Sequence, residues 1–229
     1  MNWNGKTKAF TLSYDDGVES DRKLLKIINE YGLKCTFNLN SGVLDDPWGW
    51  TYEDRFEVKK IGTAGIRDIY RGHEIAVHGL KHISPEQLKS QEEFDEEFLT
   101  DRANLEKLFG EKPVGMAYAY GYFDDITVER LRAAGFQYGR TVWDSLNFDL
   151  QTDLLRFRPT CHHKNEQVFE LLERFLALPE DPEHPQLFYL WGHAYEFDGD
   201  DDWDRLKRIC ERVAGKSDIF YGTNREVLL

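Results

Sequence analysis

Short apolar runs alternate with amphipathic stretches along most of the 229-residue chain. The apolar runs predict buried strands, and apolar residues spaced three or four apart predict helices with one buried face. The predicted strands are Ala9–Ser13, Cys35–Leu39, Glu74–Val77, Val114–Ala119, Phe136–Val142, Leu155–Arg158, Leu187–Trp191 and Ile219–Tyr221. The predicted helices are Ser20–Tyr31, Val58–Arg71, Ser84 to about Phe109, Ile126–Ala133, Gln167–Leu176 and Trp203–Val213.

This alternation favours an α/β fold with parallel strands inside and helices outside. About seven or eight strand–helix units fit a closed or nearly closed barrel better than an open sheet. The sequence contains no linker-like tract and no internal repeat, so we expect residues 1–229 to form a single domain. The loop Ser41–Tyr52, with Trp48 and Trp50, is a predicted rim of a functional site.

Three of the predicted strands end in ionisable residues: Asp15 with Asp16, His78 with His82, and His193. In a parallel barrel these strand ends converge on one face, where active sites are built. Each motif by itself has an ordinary explanation. Asp15-Asp16-Gly17 is also typical of a turn, and two histidines four residues apart are often solvated or part of a core. Their coincidence at strand ends is therefore the functional signal.

Two histidines and one aspartate form a three-ligand set that leaves coordination positions for water and substrate, as a catalytic metal requires. The second carboxylate of the Asp15-Asp16 pair is then available as a base. The sequence therefore predicts a catalytic metal site with a base beside it.

Charge and composition limit the classes of molecule that the protein is expected to bind. The formal net charge of -13 argues against nucleic acid and anionic membranes, which require a basic surface. The aromatic content of 14% includes six tryptophans, and exposed rings can provide flat platforms for sugars. The separated cysteines Cys35, Cys161 and Cys210 and the polar N-terminus fit a cytoplasmic protein.

The chain resembles the polysaccharide deacetylases of carbohydrate esterase family 4, also called the NodB homology domain. The resemblance rests on three motifs in order. Ser13-Tyr14-Asp15-Asp16-Gly17 corresponds to the family's TFDDG, His78-Gly79-Leu80-Lys81-His82 to its HxxxH, and a late strand ends in His193. The order and spacing of the elements agree over nearly the whole chain.

This resemblance implies a distorted (β/α) barrel with about seven parallel strands, and metal-dependent removal of an acetyl group from an N- or O-acetylated carbohydrate. Matched by position, Asp15 is implied as the base and His193 as the general acid. Asp16, His78 and His82 are implied as ligands of one divalent metal ion. Zinc is the default expectation, and cobalt, nickel or manganese suit the same nitrogen and oxygen donors.

The substrate-binding motifs are more divergent. The backbone N–H of Tyr120 is the expected oxyanion donor, in Ala117-Tyr118-Ala119-Tyr120-Gly121. The family's Asp-and-Trp motif is loosely matched by Trp143-Asp144, and Trp191 is expected to flank His193. Trp143 and Trp191 are therefore the predicted substrate-binding residues.

The chain also lacks the family's arginine, because Ala117 stands at that position. We expect Arg158 to replace it and to contact Asp15, or a bridging acid such as Asp144. Two other interpretations stay open at this point. The fold could hydrolyse another C–N bond, such as a cyclic amide, or the chain could be a carbohydrate- or metal-binding module without turnover.

Overall fold

The computed structural model describes residues 3–47 and 49–229, so the predicted contribution of Trp48 to a site rim lies outside the described residues. The strands are β1 Lys8–Asp15, β2 Cys35–Leu39, β3 Trp50–Tyr52, β4 Phe56–Val58, β5 Glu74–Val77, β6 Gly115–Ala117, β7 Tyr138–Arg140, β8 Cys161–His162, β9 Gln186–His193 and β10 Ile219–Tyr221. The α-helices are α1 Asp21–Glu30, α2 Ile66–Ile69, α3 Gln91–Phe94, α4 Asp101–Phe109, α5 Asp125–Ala133, α6 Val168–Ala177, α7 Ala194–Gly199, α8 Trp203–Val213 and α9 Asn224–Leu228.

A curled, all-parallel sheet forms the centre of the molecule, with the strand order β7-β6-β5-β2-β1-β9-β8. The eighth strand, β10, pairs in parallel with the first residues of β1. The sheet curls into a half-barrel with helices around it. The predicted distorted (β/α) barrel is therefore confirmed.

Burial explains why these segments adopt their structures. All eight residues of β1 are buried, as expected for a strand covered on both faces of a parallel sheet. Helix α1 buries Leu24, Leu25, Ile27 and Ile28 on one face and leaves charged residues on the other. Among the described residues, no helix has the length and apolar character needed to cross a bilayer.

The register of the sheet brings the ends of three strands together. Asp15 at the end of β1 pairs with Asn38 of β2 on one side and with His193 of β9 on the other. On the far side of β2, Leu39 pairs with Val77, the last residue of β5. His78 follows Val77 directly, so it lies at the same end of the sheet as Asp15 and His193.

One predicted helix is wrong. The segment Val58–Arg71 was expected to be helical, but only Ile66–Ile69 is a helix. An antiparallel hairpin of β3 and β4 precedes it, with Trp50 paired to Val58. The buried residues Val58, Ile61 and Ile66 produce a helix-like spacing, although they belong to a strand, a loop and a short helix. Apolar spacing alone does not distinguish these cases.

Two further boundaries differ from the prediction. The expected strand Leu155–Arg158 contains a 3₁₀ turn at Leu154–Arg156, and the strand that joins the sheet is Cys161–His162. The long helix expected from Ser84 is interrupted: a 3₁₀ turn at Pro85–Gln87 is followed by non-helical residues 88–90, and the helix then runs through α3, a π-helical segment Asp95–Thr100 and α4.

Candidate active site

A cleft of about 570 Å³ opens at the carboxyl ends of the parallel strands. Its walls combine carboxylates, imidazoles, lysines and aromatic rings from the ends of β1 and β9, from β3 and α7, and from the loops after β2, β4, β5, β6 and β7. The lining residues are Asp15, Asp16, Val43, Asp46, Gly49, Trp50, Lys60, His78, Lys81, His82, Tyr118, Tyr120, Val142, Trp191, His193 and Tyr195. The cleft therefore collects in one place seven of the nine residues selected from sequence as site residues.

Asp15 lies at the floor of the cleft and is held through both carboxylate oxygens. Nδ2 of Asn38 donates to Oδ1 at 2.8 Å, and Nη2 of Arg140 donates to Oδ2. Burial alone would raise the pKa of Asp15, but the Arg140 guanidinium, together with His78 and His193, outweighs burial, and the pKa lies below its ordinary value. The residue is therefore an oriented, ionised carboxylate.

Arg140 supplies the positive charge that the alanine at position 117 lacks. The two residues are register partners on adjacent strands, Ala117 on β6 and Arg140 on β7. Arg140 is fully buried, and its guanidinium stacks 4.4 Å from the centre of the Trp191 ring. The guanidinium reaches Asp15 from one strand further along the sheet than the family pattern suggests.

The prediction for Arg158 is therefore corrected, because Arg140 is the cation beside Asp15. Arg158 is exposed, and its Nη2 donates to the main-chain carbonyl of Asp144 at 3.0 Å. Its expected strand is absent from the described residues, since Leu154–Arg156 forms a turn instead.

Asp16, His78 and His82 form a compact cluster beside Asp15. The Nε2 atoms of the two imidazoles are 3.2 Å apart, and they lie 3.9 and 3.7 Å from Oδ1 of Asp16. Donor atoms about 2.1 Å from one ion are separated by roughly 3 to 3.5 Å. The three donor atoms therefore need to move by at most about half an ångström to bind a single ion.

The protonation of His78 fits this interpretation. Its Nδ1 lies 2.9 Å from the carbonyl oxygen of Ala117, which can only accept, so Nδ1 carries the proton. The Nε2 lone pair then faces Asp16 and His82, in the arrangement that metal-binding histidines use. Burial lowers the pKa of both imidazoles, and that of His82 falls to about 4, so both rings are neutral at pH 7.

Lys60 neighbours this cluster without blocking its carboxylate. Its Nζ donates to the main-chain oxygen of Asp16 at 2.6 Å and to Oδ1 of Asn40 at 3.1 Å, whereas Oδ1 of Asp16 is 3.7 Å away. Burial would raise the pKa of Asp16, but the charge of Lys60 and the nearby imidazoles lower it well below its ordinary value. Asp16 is therefore ionised and available as a ligand.

His193 faces the Asp15-Asp16 pair from β9. Its Nε2 lies 3.9 Å from a carboxylate oxygen of each aspartate, and its Nδ1 lies 3.3 Å from Oε2 of Glu196. Burial opposes a charge on this imidazole, but the hydrogen bond to Glu196 and the charge of Asp16 raise its pKa to about 9. At neutral pH His193 is a positively charged proton donor that points into the cleft.

Glu196 is the centre of a second cluster, in which three imidazoles approach one carboxylate oxygen. Nε2 of His162 and Nε2 of His163 lie 3.1 and 3.2 Å from Oε2, beside His193. Nδ1 of His162 accepts a hydrogen bond from the backbone N–H of Lys164, so Nε2 carries the proton. This nitrogen therefore donates to Glu196, and the cluster fits a metal ion less well than Asp16, His78 and His82 do.

The aromatic residues selected from sequence have different positions. Tyr120 has a left-handed φ of 57°, and its exposed ring lies edge-on to His82 with the centres 4.6 Å apart. Trp191 is largely buried beneath the cleft, where its Nε1 donates to Asp144. Trp143 is half exposed, packs against Phe123 and is not among the described residues that line the cleft.

The model of the polysaccharide deacetylase family matches residues 3–139, which is more than half of the chain. The chain belongs to the polysaccharide deacetylase family. A search of curated proteins gave no match.

Solved structures of the family share the same fold. A candidate polysaccharide deacetylase from Mycobacterium smegmatis aligns over 100% of this chain and 91% of its own, with 20% identity and a TM-score of 0.67. A family 4 carbohydrate esterase from Streptomyces lividans, in complex with acetate, aligns over 95% and 93%, with 16% identity and a TM-score of 0.59. The alignment with a polysaccharide deacetylase from Bacillus cereus covers 58% of this chain and only 40% of that one, with 16% identity and a TM-score of 0.49.

Arg140 contacts Asp15 and Glu196 contacts His193, but neither Arg140 nor Glu196 was selected as a site residue from the sequence. Arg140 lies in the predicted strand Phe136–Val142, but only the pairing of β6 with β7 shows that it stands beside Ala117. Glu196 follows His193 by three residues, and this spacing alone does not show that its carboxylate faces the imidazole. The helical turn after β9 is what brings its carboxylate back to His193.

Proposed function

We propose that this protein is a metal-dependent deacetylase that removes an acetyl group from an N- or O-acetylated carbohydrate. The observation that carries the proposal is the pairing of two opposed groups across one cleft: an ionised Asp15 and a charged His193, beside the cluster of Asp16, His78 and His82. Environments that shift the pKa values of two neighbouring titratable groups in opposite directions are typical of a catalytic base and acid. Membership of the polysaccharide deacetylase family supports the choice of substrate.

Asp16, His78 and His82 would hold the ion, with Zn²⁺ as our first expectation because the donors are two imidazoles and one carboxylate. A bound divalent ion supplies Lewis-acid polarisation of the acetyl carbonyl and lowers the pKa of water. His78 presents a lone pair because its other ring nitrogen donates to the Ala117 carbonyl. This chain therefore supplies an oriented ligand set.

Asp15 accepts the proton of the attacking water. The hydrogen bonds from Asn38 and Arg140 orient its carboxylate and keep it ionised in a buried position. His193 donates a proton from Nε2 to the leaving nitrogen or oxygen, while Glu196 holds Nδ1. We assign the oxyanion to the backbone N–H of Tyr120, which lines the cleft and has a left-handed conformation.

The experiment is a turnover assay on acetylated chitooligosaccharides and acetylated xylan, with metal-stripped protein and after addition of Zn²⁺, Co²⁺, Ni²⁺ or Mn²⁺. We expect acetate release that depends on added metal and is lost in Asp15→Asn, although that variant still binds the ion. Release of acetate by metal-stripped protein at the full rate would contradict metal dependence. No release from either substrate class would contradict the proposed substrate.

A further inference from the structure

The loop that carries both proposed metal-binding histidines is irregular. In the loop 78–83, Gly79 has a φ of 87° and His82 a φ of 61°, both in the left-handed region. For a residue with a side chain, such as His82, this conformation is strained and requires support from its surroundings. The position of Nε2 of His82 therefore depends on what holds the loop.

Glu97 binds three backbone N–H groups of this loop. Its carboxylate accepts from the backbone N–H groups of Lys81 and Ile83, with Oε1 at 3.1 and 2.9 Å. Its main-chain oxygen accepts from the backbone N–H of Leu80 at 2.7 Å. Only 2% of Glu97 is exposed, so these hydrogen bonds are shielded from competing water.

The π-helical segment Asp95–Thr100 gives Glu97 this position. A π turn is wider than an α turn, so its backbone pairing is shifted and side chains leave the helix at a changed angle. In this segment the Glu97 carbonyl reaches Leu80, and the carboxylate of the same residue reaches the next part of the loop. Segments of this kind often occur at functional sites.

Two other side chains bind the beginning of the loop. Oδ2 of Asp101 accepts from the backbone N–H of His78 at 3.3 Å. Nδ2 of Asn40 donates to the carbonyl oxygens of His78 and Gly79 at 2.8 and 2.9 Å. The His78 end is therefore held by several elements, whereas Glu97 alone accepts from the described backbone N–H groups at the His82 end.

We propose that Glu97 is a positioning residue for the metal site, because it fixes the backbone that presents His82. This inference rests on the proposed function, since it assumes that Asp16, His78 and His82 bind the ion. It assigns to Glu97 a role that depends on the reach of its acceptor oxygen rather than on its negative charge.

The test is the affinity of the metal-stripped protein for Zn²⁺, measured by competition with a chromophoric chelator. Glu97→Gln keeps the length and one acceptor oxygen but removes the charge. Glu97→Asp keeps the charge but withdraws the acceptor by about 1.5 Å, the length of one carbon–carbon bond. We expect an affinity close to wild type for Glu97→Gln and a loss of roughly 10- to 100-fold for Glu97→Asp.

Glu96 provides the matched control. It is the preceding residue of the same π-helical segment, and its largely exposed carboxylate contacts the side-chain Nζ of Lys81. Glu96→Gln and Glu96→Asp should leave the Zn²⁺ affinity unchanged. If Glu97→Asp does not fold, Gly79→Ala replaces it, because a Cβ at this position would collide with Oε1 of Glu97, and we expect the same loss.

The outcomes separate the inference from the proposed function. If wild type binds Zn²⁺ and Glu97→Asp binds it equally well, the inference is overturned and the proposed function stands. The reverse order, with a loss in Glu97→Gln and none in Glu97→Asp, would assign the effect to charge and also overturn the inference. If the wild-type protein bound none of Zn²⁺, Co²⁺, Ni²⁺ and Mn²⁺ in this assay, the proposed function would fail and the inference with it.

Discussion

At the scale of single residues, the site depends on which nitrogen carries a proton and which carboxylate has a cationic neighbour. His78 is fixed as a lone-pair donor by the Ala117 carbonyl, and Asp15 is kept ionised by Arg140. His193 is kept protonated by Glu196. Two imidazoles and one carboxylate thus differ in protonation state because of the groups that they contact.

Arg140 is predicted to support the base without taking part in metal binding. Arg140→Met removes the guanidinium from Asp15, so burial is no longer offset and the pKa of Asp15 rises. We expect kcat to fall by roughly 10²-fold or more, as when a proton-transfer group is lost, with unchanged metal content. Steady-state kinetics and elemental analysis provide the two measurements.

Arg158→Met is the matched control for this change. Its guanidinium contacts the Asp144 carbonyl at an exposed position, so both kcat and metal content should stay near wild type. Equal losses of activity in the two arginine variants would contradict the assignment of Arg140.

Glu196 is predicted to set the alkaline limit of the activity. Glu196→Gln removes the charge that holds the proton on His193, so the pKa of this imidazole should fall from its raised value of about 9. The alkaline limb of kcat against pH should then move to lower pH by about one unit or more. Glu166→Gln, at an exposed position, should leave the profile unchanged. If the alkaline limb did not shift in Glu196→Gln, the prediction that Glu196 raises the pKa of His193 would be contradicted.

At the scale of elements, β9 combines the proposed acid His193 at its end with close packing just before it. Gly192, the residue before His193, faces the buried ring of His163, and a Cβ at this position would collide with that ring. Tyr14 and Phe197 stack on the same imidazole, with ring centres 5.7 and 4.1 Å away. The strand can approach this layer closely because glycine has no side chain.

Gly192→Ala is therefore predicted to destabilise the fold. We expect a loss of about 1 to 3 kcal/mol in the free energy of unfolding, as for overpacked cores. Urea denaturation measures this loss. The double variant Gly192→Ala/His163→Ala removes the opposing ring. Its loss in the free energy of unfolding should therefore be smaller than the sum of the losses in the two single variants. Strict additivity would show that the collision is relieved elsewhere.

At the scale of the whole molecule, the buried charges of the site make stability depend on pH. The His193 pKa is about 9 in the folded protein and about 6.5 in an unfolded chain, so the folded state binds the proton more strongly. This contribution is complete below pH 6.5 and is lost as the pH rises towards 9. Its size is at most about 3 kcal/mol.

Metal-stripped protein should accordingly lose stability between pH 6.5 and 9, and His193→Gln should lose less over the same interval. Urea denaturation of both proteins at the two pH values provides the comparison. Parallel stability curves for wild type and His193→Gln would contradict the raised pKa of His193. Metal-stripped protein is required because a bound cation would itself alter the field at His193.

The sequence by itself determined the parallel barrel and the residues at its strand ends. Alternating burial, helical spacing and strand-terminal Asp15, Asp16, His78 and His193 are local properties, so they can be read without knowing which strands are neighbours. The helix Trp203–Val213 and the strand Ile219–Tyr221 were predicted with their observed bounds for the same reason. The hairpin after residue 49 was missed because its apolar spacing resembles that of a helix.

Only the tertiary structure decided how these groups are supported. Arg140 replaces the missing arginine because β7 pairs with β6 in a register that sets Arg140 beside Ala117, and residue spacing does not contain that register. Glu196 gathers imidazoles from β8, the following residue and β9, and Glu97 reaches the His82 loop through a π-helical segment. Contacts between residues distant in the chain depend on strand pairing and helix geometry, which emerge only when the whole chain is packed.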